Sequence, residues 1–97
     1  MKPNAAPTVS ILSLTNSGTG YSWTIPAACR AFSVQARTAV DVLMGTAQAD
    51  VQAGGTNYIT IKSGTVFNSP QDFASLGSTL WFSAGSNTIT LEILTWA

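Results

Sequence analysis

Among its acid–base and nucleophilic groups this 97-residue chain has four carboxylates (Asp41, Asp50, Asp72 and Glu92), one thiol (Cys29) and no histidine. Proton transfer at neutral pH falls most often to histidine, and its absence removes that route. Ser–His and Cys–His nucleophiles go with it. Zinc sites are built from Cys, His and carboxylates, which one cysteine without histidine does not supply. A glycosidase-type pair needs two carboxylates flanking one bond. Here Glu92 falls in the middle of an alternating run, whereas Asp50 and Asp72 fall in separate loops, and no spacing singles out a pair. A loose calcium site using Asp50 or Asp72 with backbone carbonyls is the remaining metal chemistry. No glycine pattern follows a strand and opens a helix, so no phosphate-cradling loop is expected. With no base to activate it, Cys29 reads as a small buried hydrophobe. The expectation is a protein without catalytic residues, metal or cofactor.

Binding or assembly is what remains, and charge narrows it. Lys2, Arg30, Arg37 and Lys62 balance the four acids, giving a net charge of zero. Counterion release from nucleic acid needs clustered Lys and Arg, so no nucleic-acid partner is expected. No apolar run approaches the roughly 18–20 residues of a membrane helix. Met1 to Pro7 lacks the apolar stretch of a secretory signal, and a lone cysteine makes no intrachain bridge, so cytosolic synthesis is expected. Charged residues make up only 8% of the chain, against about 25% in an ordinary soluble domain. Thr, Ser, Asn, Gln and Ala take their place. A freely diffusing monomer usually carries more charge, so low charge fits a lattice or a tight oligomer.

The elements that must position any binding surface are strands. Residues 1–7 hold two prolines without periodicity and read as a flexible arm ahead of one domain over 8–97. Short β-type runs then follow at even spacing, separated by turn residues. They cover Thr8–Thr15, Tyr21–Ile25, Cys29–Arg37, Val40–Thr46, Thr56–Lys62, Gly64–Asn68, Thr79–Ala84 and Asn87–Trp96. Ser63-Gly64 and Gly85-Ser86 read as hairpin turns between their neighbours. Residues 47–55 read as a small-residue loop, and 69–78 as a loop with one helical turn near Gln71–Ala74. Strands rich in Thr, Val, Ile and aromatics favour sheet over helix. The expected fold is all-β, with about eight short antiparallel strands in a two-sheet sandwich of jelly-roll type.

Side-chain alternation assigns faces. Phe32, Val34 and Ala36 oppose Ser33, Gln35 and Arg37, and Val40, Val42 and Met44 repeat the pattern. In the last run, Ile89, Leu91 and Ile93 form a core stripe. The opposite face begins with Thr88, Thr90 and Glu92 but continues into Leu94 and Trp96. Trp81 opposes Leu80 and Phe82, and Leu43 shares a face with Asp41. Leu43, Trp81, Leu94 and Trp96 are therefore the candidate subunit or partner interface, unless loops or chain ends cover them. A sugar platform on Trp81 or Trp23 is an alternative use of the aromatics.

The segment Trp23-Thr24-Ile25-Pro26-Ala27, followed by Phe32-Ser33-Val34-Gln35 and Val40-Asp41-Val42, resembles small virion structural proteins of tailed bacteriophages. Tyr58-Ile59-Thr60-Ile61-Lys62-Ser63-Gly64 and Thr79-Leu80-Trp81-Phe82-Ser83-Ala84 fit the same pattern, although after Pro26-Ala27 this chain has Ala28 in place of glycine. The likeness spans roughly residues 21–96. It implies a head decoration (capsid cement) protein on the virion surface. Such a protein would be synthesised in the host cytoplasm, assemble with itself as a homotrimer and contact the major capsid protein. That class shares no catalytic residues. The alternative is a host-receptor or carbohydrate-binding β-sandwich module of a phage tail fibre.

Overall fold

The computed structural model describes residues 7–27, 29–69 and 78–96. Eight strands succeed one another along them: β1 (Thr8–Leu14), β2 (Tyr21–Thr24), β3 (Ala31–Ala36), β4 (Val42–Gly45), β5 (Tyr58–Ile61), β6 (Phe67–Asn68), β7 (Thr79–Ala84) and β8 (Ile89–Trp96). A 3-10 turn at Gln48–Val51 lies between β4 and β5. The fold is all-β. Two four-stranded antiparallel sheets pack face to face: sheet A in the order β1-β8-β3-β6 and sheet B in the order β2-β7-β4-β5.

That order has a simple origin. β1 pairs with β8, β2 with β7, β3 with β6 and β4 with β5. First meets last and each inner pair follows, as in one long hairpin with β4–β5 at its tip. The hairpin is then rolled so that β8 also pairs with β3 and β7 with β4. This is the jelly-roll arrangement of two Greek keys.

The period-2 pattern of each strand decides which side enters the core. In β8, Ile89, Leu91, Ile93 and Thr95 are buried while the intervening residues face outward. Phe32 and Val34 of β3, Val42 and Met44 of β4, and Phe82 and Ala84 of β7 complete the layer between the sheets. At one end of it Trp23 meets Phe32 edge-on, with ring centroids 5.2 Å apart, and Phe67 lies against the same ring at 5.9 Å. Cys29 is buried there too, its thiol donating to the Ala31 carbonyl at 3.3 Å.

Two expected hairpins do not form. β5 and β6 do not pair around Ser63-Gly64: β5 pairs with β4 in sheet B, whereas β6 pairs with β3 in sheet A. Gly64, at a φ of +78°, and the Thr65 N–H donating to the Lys62 carbonyl turn the chain from one sheet to the other. Likewise β7 and β8 do not pair around Gly85-Ser86, because each is an inner strand of a different sheet. The physical reason is the same in both places. A tight turn reverses the chain, but which partner takes the strand is set by burial of both apolar faces, and the roll satisfies that across sheets. The 47–55 loop contains the 3-10 turn. The helical turn expected at Gln71–Ala74, and residues 1–6 of the expected arm, lie outside the described residues.

Candidate functional site

The four candidate interface residues fall on opposite sides of the sandwich. Leu43 (β4) and Trp81 (β7) are on the outer face of sheet B, and Leu94 and Trp96 (β8) are on the outer face of sheet A. The two outer faces differ in what their own chain does to them.

Sheet B is partly covered by the β4–β5 connection. The register puts Gly45 beside Trp81, and Gly20 directly precedes Tyr21, the residue that pairs with Phe82. Val51, at the end of the 3-10 turn, is buried in the seat these glycines leave. A β-carbon on Gly20 would stand 3.0 Å from Val51 Cγ2, and one on Gly45 3.1 Å from Val51 Cγ1. The Ser83 hydroxyl donates to the Val51 carbonyl at 2.5 Å. Gln52 Oε1 accepts from the Gly20 N–H at 3.0 Å, and Gln48 Nε2 donates to the Gly20 carbonyl at 3.2 Å. Leu43 and Trp81 are half-buried around this plug.

Sheet A has no such cover among the described residues. Register fixes its outer face row by row. Ile11 lies beside Glu92, which lies beside Gln35; Val9 lies beside Leu94, then Ser33, then Asn68; Trp96 lies beside Ala31. Val9 is 65% exposed, Ile11 53% and Trp96 37%, so an apolar row runs open along β1 and the end of β8. Val66 adds a fourth exposed apolar side chain at the rim of a shallow depression of about 460 Å³ over Val9, Leu94, Ser33 and Gln35.

One charged cluster interrupts that face. The Glu92 carboxylate accepts from Gln35 Nε2 and from Arg37 Nε, both at 2.8 Å. These two hydrogen bonds, with the Gln35 amide the larger influence and the Arg37 guanidinium second, hold the carboxyl below its ordinary range. Both carboxylate oxygens are engaged, so Glu92 presents a neutralised surface rather than a free charge. At the far end a second depression, of about 440 Å³, is lined by Trp96, Arg30, Ser33 and Asn68. There the Ser33 hydroxyl and Asn68 Oδ1 are hydrogen-bonded at 2.6 Å.

Among the described residues no group of three His, Cys, Asp or Glu side chains gathers where a metal ion would be held. Asp41 instead caps a turn, its carboxylate accepting from the Ser63 N–H at 2.7 Å. Asp72, one of the two calcium candidates, lies outside the described residues. Trp23, one of the two sugar-platform candidates, is packed against the core rather than presented.

Sequence reading missed Val9 and Ile11. The signal was present: Val9 and Ile11 fall on one parity of β1 and Leu12 and Leu14 on the other, so whichever face packed inward, the opposite one stayed apolar. Comparison with family models, with curated proteins and with solved structures finds no match.

Proposed function

We propose that the chain is a virion structural protein of the phage head-decoration (cement) type, which binds the outer capsid and stabilises contacts between capsomers. The observation that carries this reading is the open outer face of sheet A. It offers Val9, Ile11, Leu94 and Trp96 in a chain of which only 8% of residues are charged. Jelly rolls serve viral capsids but also lectins and cupins, so the fold supports the reading without choosing it. The face adds a preference, because its apolar row gains from burial against another protein and its one ion pair, Glu92–Arg37, is already neutralised, so binding loses little to screening salt. The protein would associate with itself and with the major capsid protein at the virion surface, after synthesis in the host cytoplasm. No catalytic step is assigned to it.

Co-sedimentation with capsids lacking the protein tests this. Wild-type protein should bind and raise the shell's resistance to heat, and Leu94→Asp with Trp96→Asp should abolish binding while the domain stays folded. Moderate salt, up to about 0.5 M, should change binding little. Deleting residues 1–7 should weaken binding if the Pro-containing arm lies along a neighbour. Absence of wild-type binding would remove the decoration role.

A carbohydrate-binding module is the second reading. It is favoured by the depression where Trp96 stands beside Arg30, Ser33 and Asn68, an aromatic surface with polar groups suited to hydroxyls. Specific signals on a glycan array, removed by Trp96→Ala, would select it over the first.

A further inference from the structure

β1 is an edge strand, and the direction of its free backbone groups follows from bonds further into sheet A. The Ser69 N–H donates to the Phe32 carbonyl, so Phe32 and Val34 turn their backbone groups toward β6. The alternate residues of β3 turn toward β8, as the Arg37 N–H donating to Thr90 O confirms. Residues 90, 92 and 94 of β8 therefore serve β3, and 89, 91, 93 and 95 serve β1. Thr8, Ser10, Leu12 and Leu14 are thus satisfied by β8. The N–H and C=O groups of Val9, Ile11 and Ser13 face outward along an edge that no described strand covers. Their side chains are the exposed ones on the outer face.

Natural edge strands are usually kept short, charged, bulged or interrupted by proline. The other three edges are short: four residues in β2, four in β5 and two in β6. β1 has seven residues, no charge and no proline. We propose that β1 is a self-association edge, pairing antiparallel with β1 of a second copy about a two-fold axis at Ile11 and joining two copies of sheet A into one continuous sheet. The strand is its own complement. With the axis at Ile11, the three outward-facing residues meet one another: Ile11 opposite Ile11, and Val9 opposite Ser13 on either side. Each of these pairs exchanges two backbone hydrogen bonds. No charge on β1 opposes its copy, and the exposed apolar row continues across the axis beside Leu94 of both copies. This deepens the self-association in the function proposed above and is independent of the capsid, because it is tested on the protein alone.

A single strand edge covers less than the roughly 1,200–2,000 Å² of a stable interface, so the dimer should dissociate at roughly ten micromolar or weaker. Sedimentation equilibrium from micromolar to about 1 mM protein should follow a monomer–dimer equilibrium on the 10.1 kDa chain. Amide exchange at Val9, Ile11 and Ser13 should slow as concentration rises, while Ser10 and Leu12 are protected at all concentrations. Ile11→Lys and Ile11→Glu each set like charges face to face at the axis and should weaken association about tenfold. An equimolar mixture of the two should restore it. A monomer throughout, a trimer, either charged variant associating as the wild type does, no rescue in the mixture, or unchanged exchange at those amides would each overturn the proposal.

Discussion

The Ser83 hydroxyl hydrogen-bonds the Val51 carbonyl, tying the β4–β5 connection to the middle of sheet B. Both groups are buried, and the bond is what lets a polar loop lie over an inner strand without stranding a carbonyl. Ser83→Ala removes the donor and keeps the burial. The expected cost is about 1–3 kcal/mol, seen as a fall in Tm of roughly 5–15 °C by calorimetry. An unchanged Tm would mean the loop does not depend on this bond.

The same connection closes on Gly55, where a β-carbon would collide with the backbone oxygens of both Ala49 and Asp50. Backbone cannot yield as a flexible side chain would. Gly55→Ala should therefore displace the loop, lower stability by about 1–3 kcal/mol and open residues 46–57 to proteases ahead of the rest of the domain. Limited proteolysis with mass mapping would show whether the new cleavage falls there.

Glu92 is expected to give stability an acid dependence. Its folded-state pKa is lowered, first by the Gln35 hydrogen bond and then by Arg37, so the native state favours the ionised carboxylate more than the unfolded chain does. The stabilisation is present above the unfolded pKa and is lost as pH falls through the folded one. Thermal melts from neutral to strongly acid pH should show the wild type losing stability across that interval. Glu92→Gln should be less stable at neutral pH and show a shallower acid loss. Parallel curves for the two proteins would mean the contacts are too exposed to matter.

Thr88 is the one non-glycine residue with positive φ among those described, at 59°. It lies in the turn from β7 to β8, where its N–H donates to the Thr15 carbonyl at 3.0 Å. A β-branched side chain is disfavoured in this region. Thr88→Gly keeps the backbone bond and removes the clash, at the cost of a freer unfolded chain. A net gain of up to about 1 kcal/mol is expected in urea denaturation, and a loss would mean the Thr88 side chain holds the turn.

Strand positions and their faces were legible in the sequence because alternation is local. Phe32, Val34 and Ala36 point inward, and Ser33 and Gln35 outward, as their order alone dictates. Partners were not legible. Ser63-Gly64 and Gly85-Ser86 carry ordinary hairpin residues, and nothing near them says that the next strand joins the opposite sheet. Leu94 and Trp96 could be read as an apolar end to an outward face, and they lie on the open side. Leu43 and Trp81 carried the same local signal. What separates them is the Val51 plug, whose seat is made by Gly20, Gly45 and Ser83 from three distant strands or strand ends. Such a seat exists only once the sheets are assembled.

The placement of β8 governs how the protein comes into being. It is made after the other seven strands, yet it lies between β1 and β3 and pairs with both. Until residues 89–96 leave the ribosome, at roughly 5–20 residues per second, sheet A has no centre. Leu12, Leu14, Phe32 and Val34 must wait without their main cover. Pairings between remote segments fold slowly, in about milliseconds to seconds, because the intervening chain is closed before any contact stabilises it. A nascent chain stalled before Ile89 should remain protease-sensitive along β1 and β3 and engage holdase chaperones. Release of β8 should bring protection to both strands together.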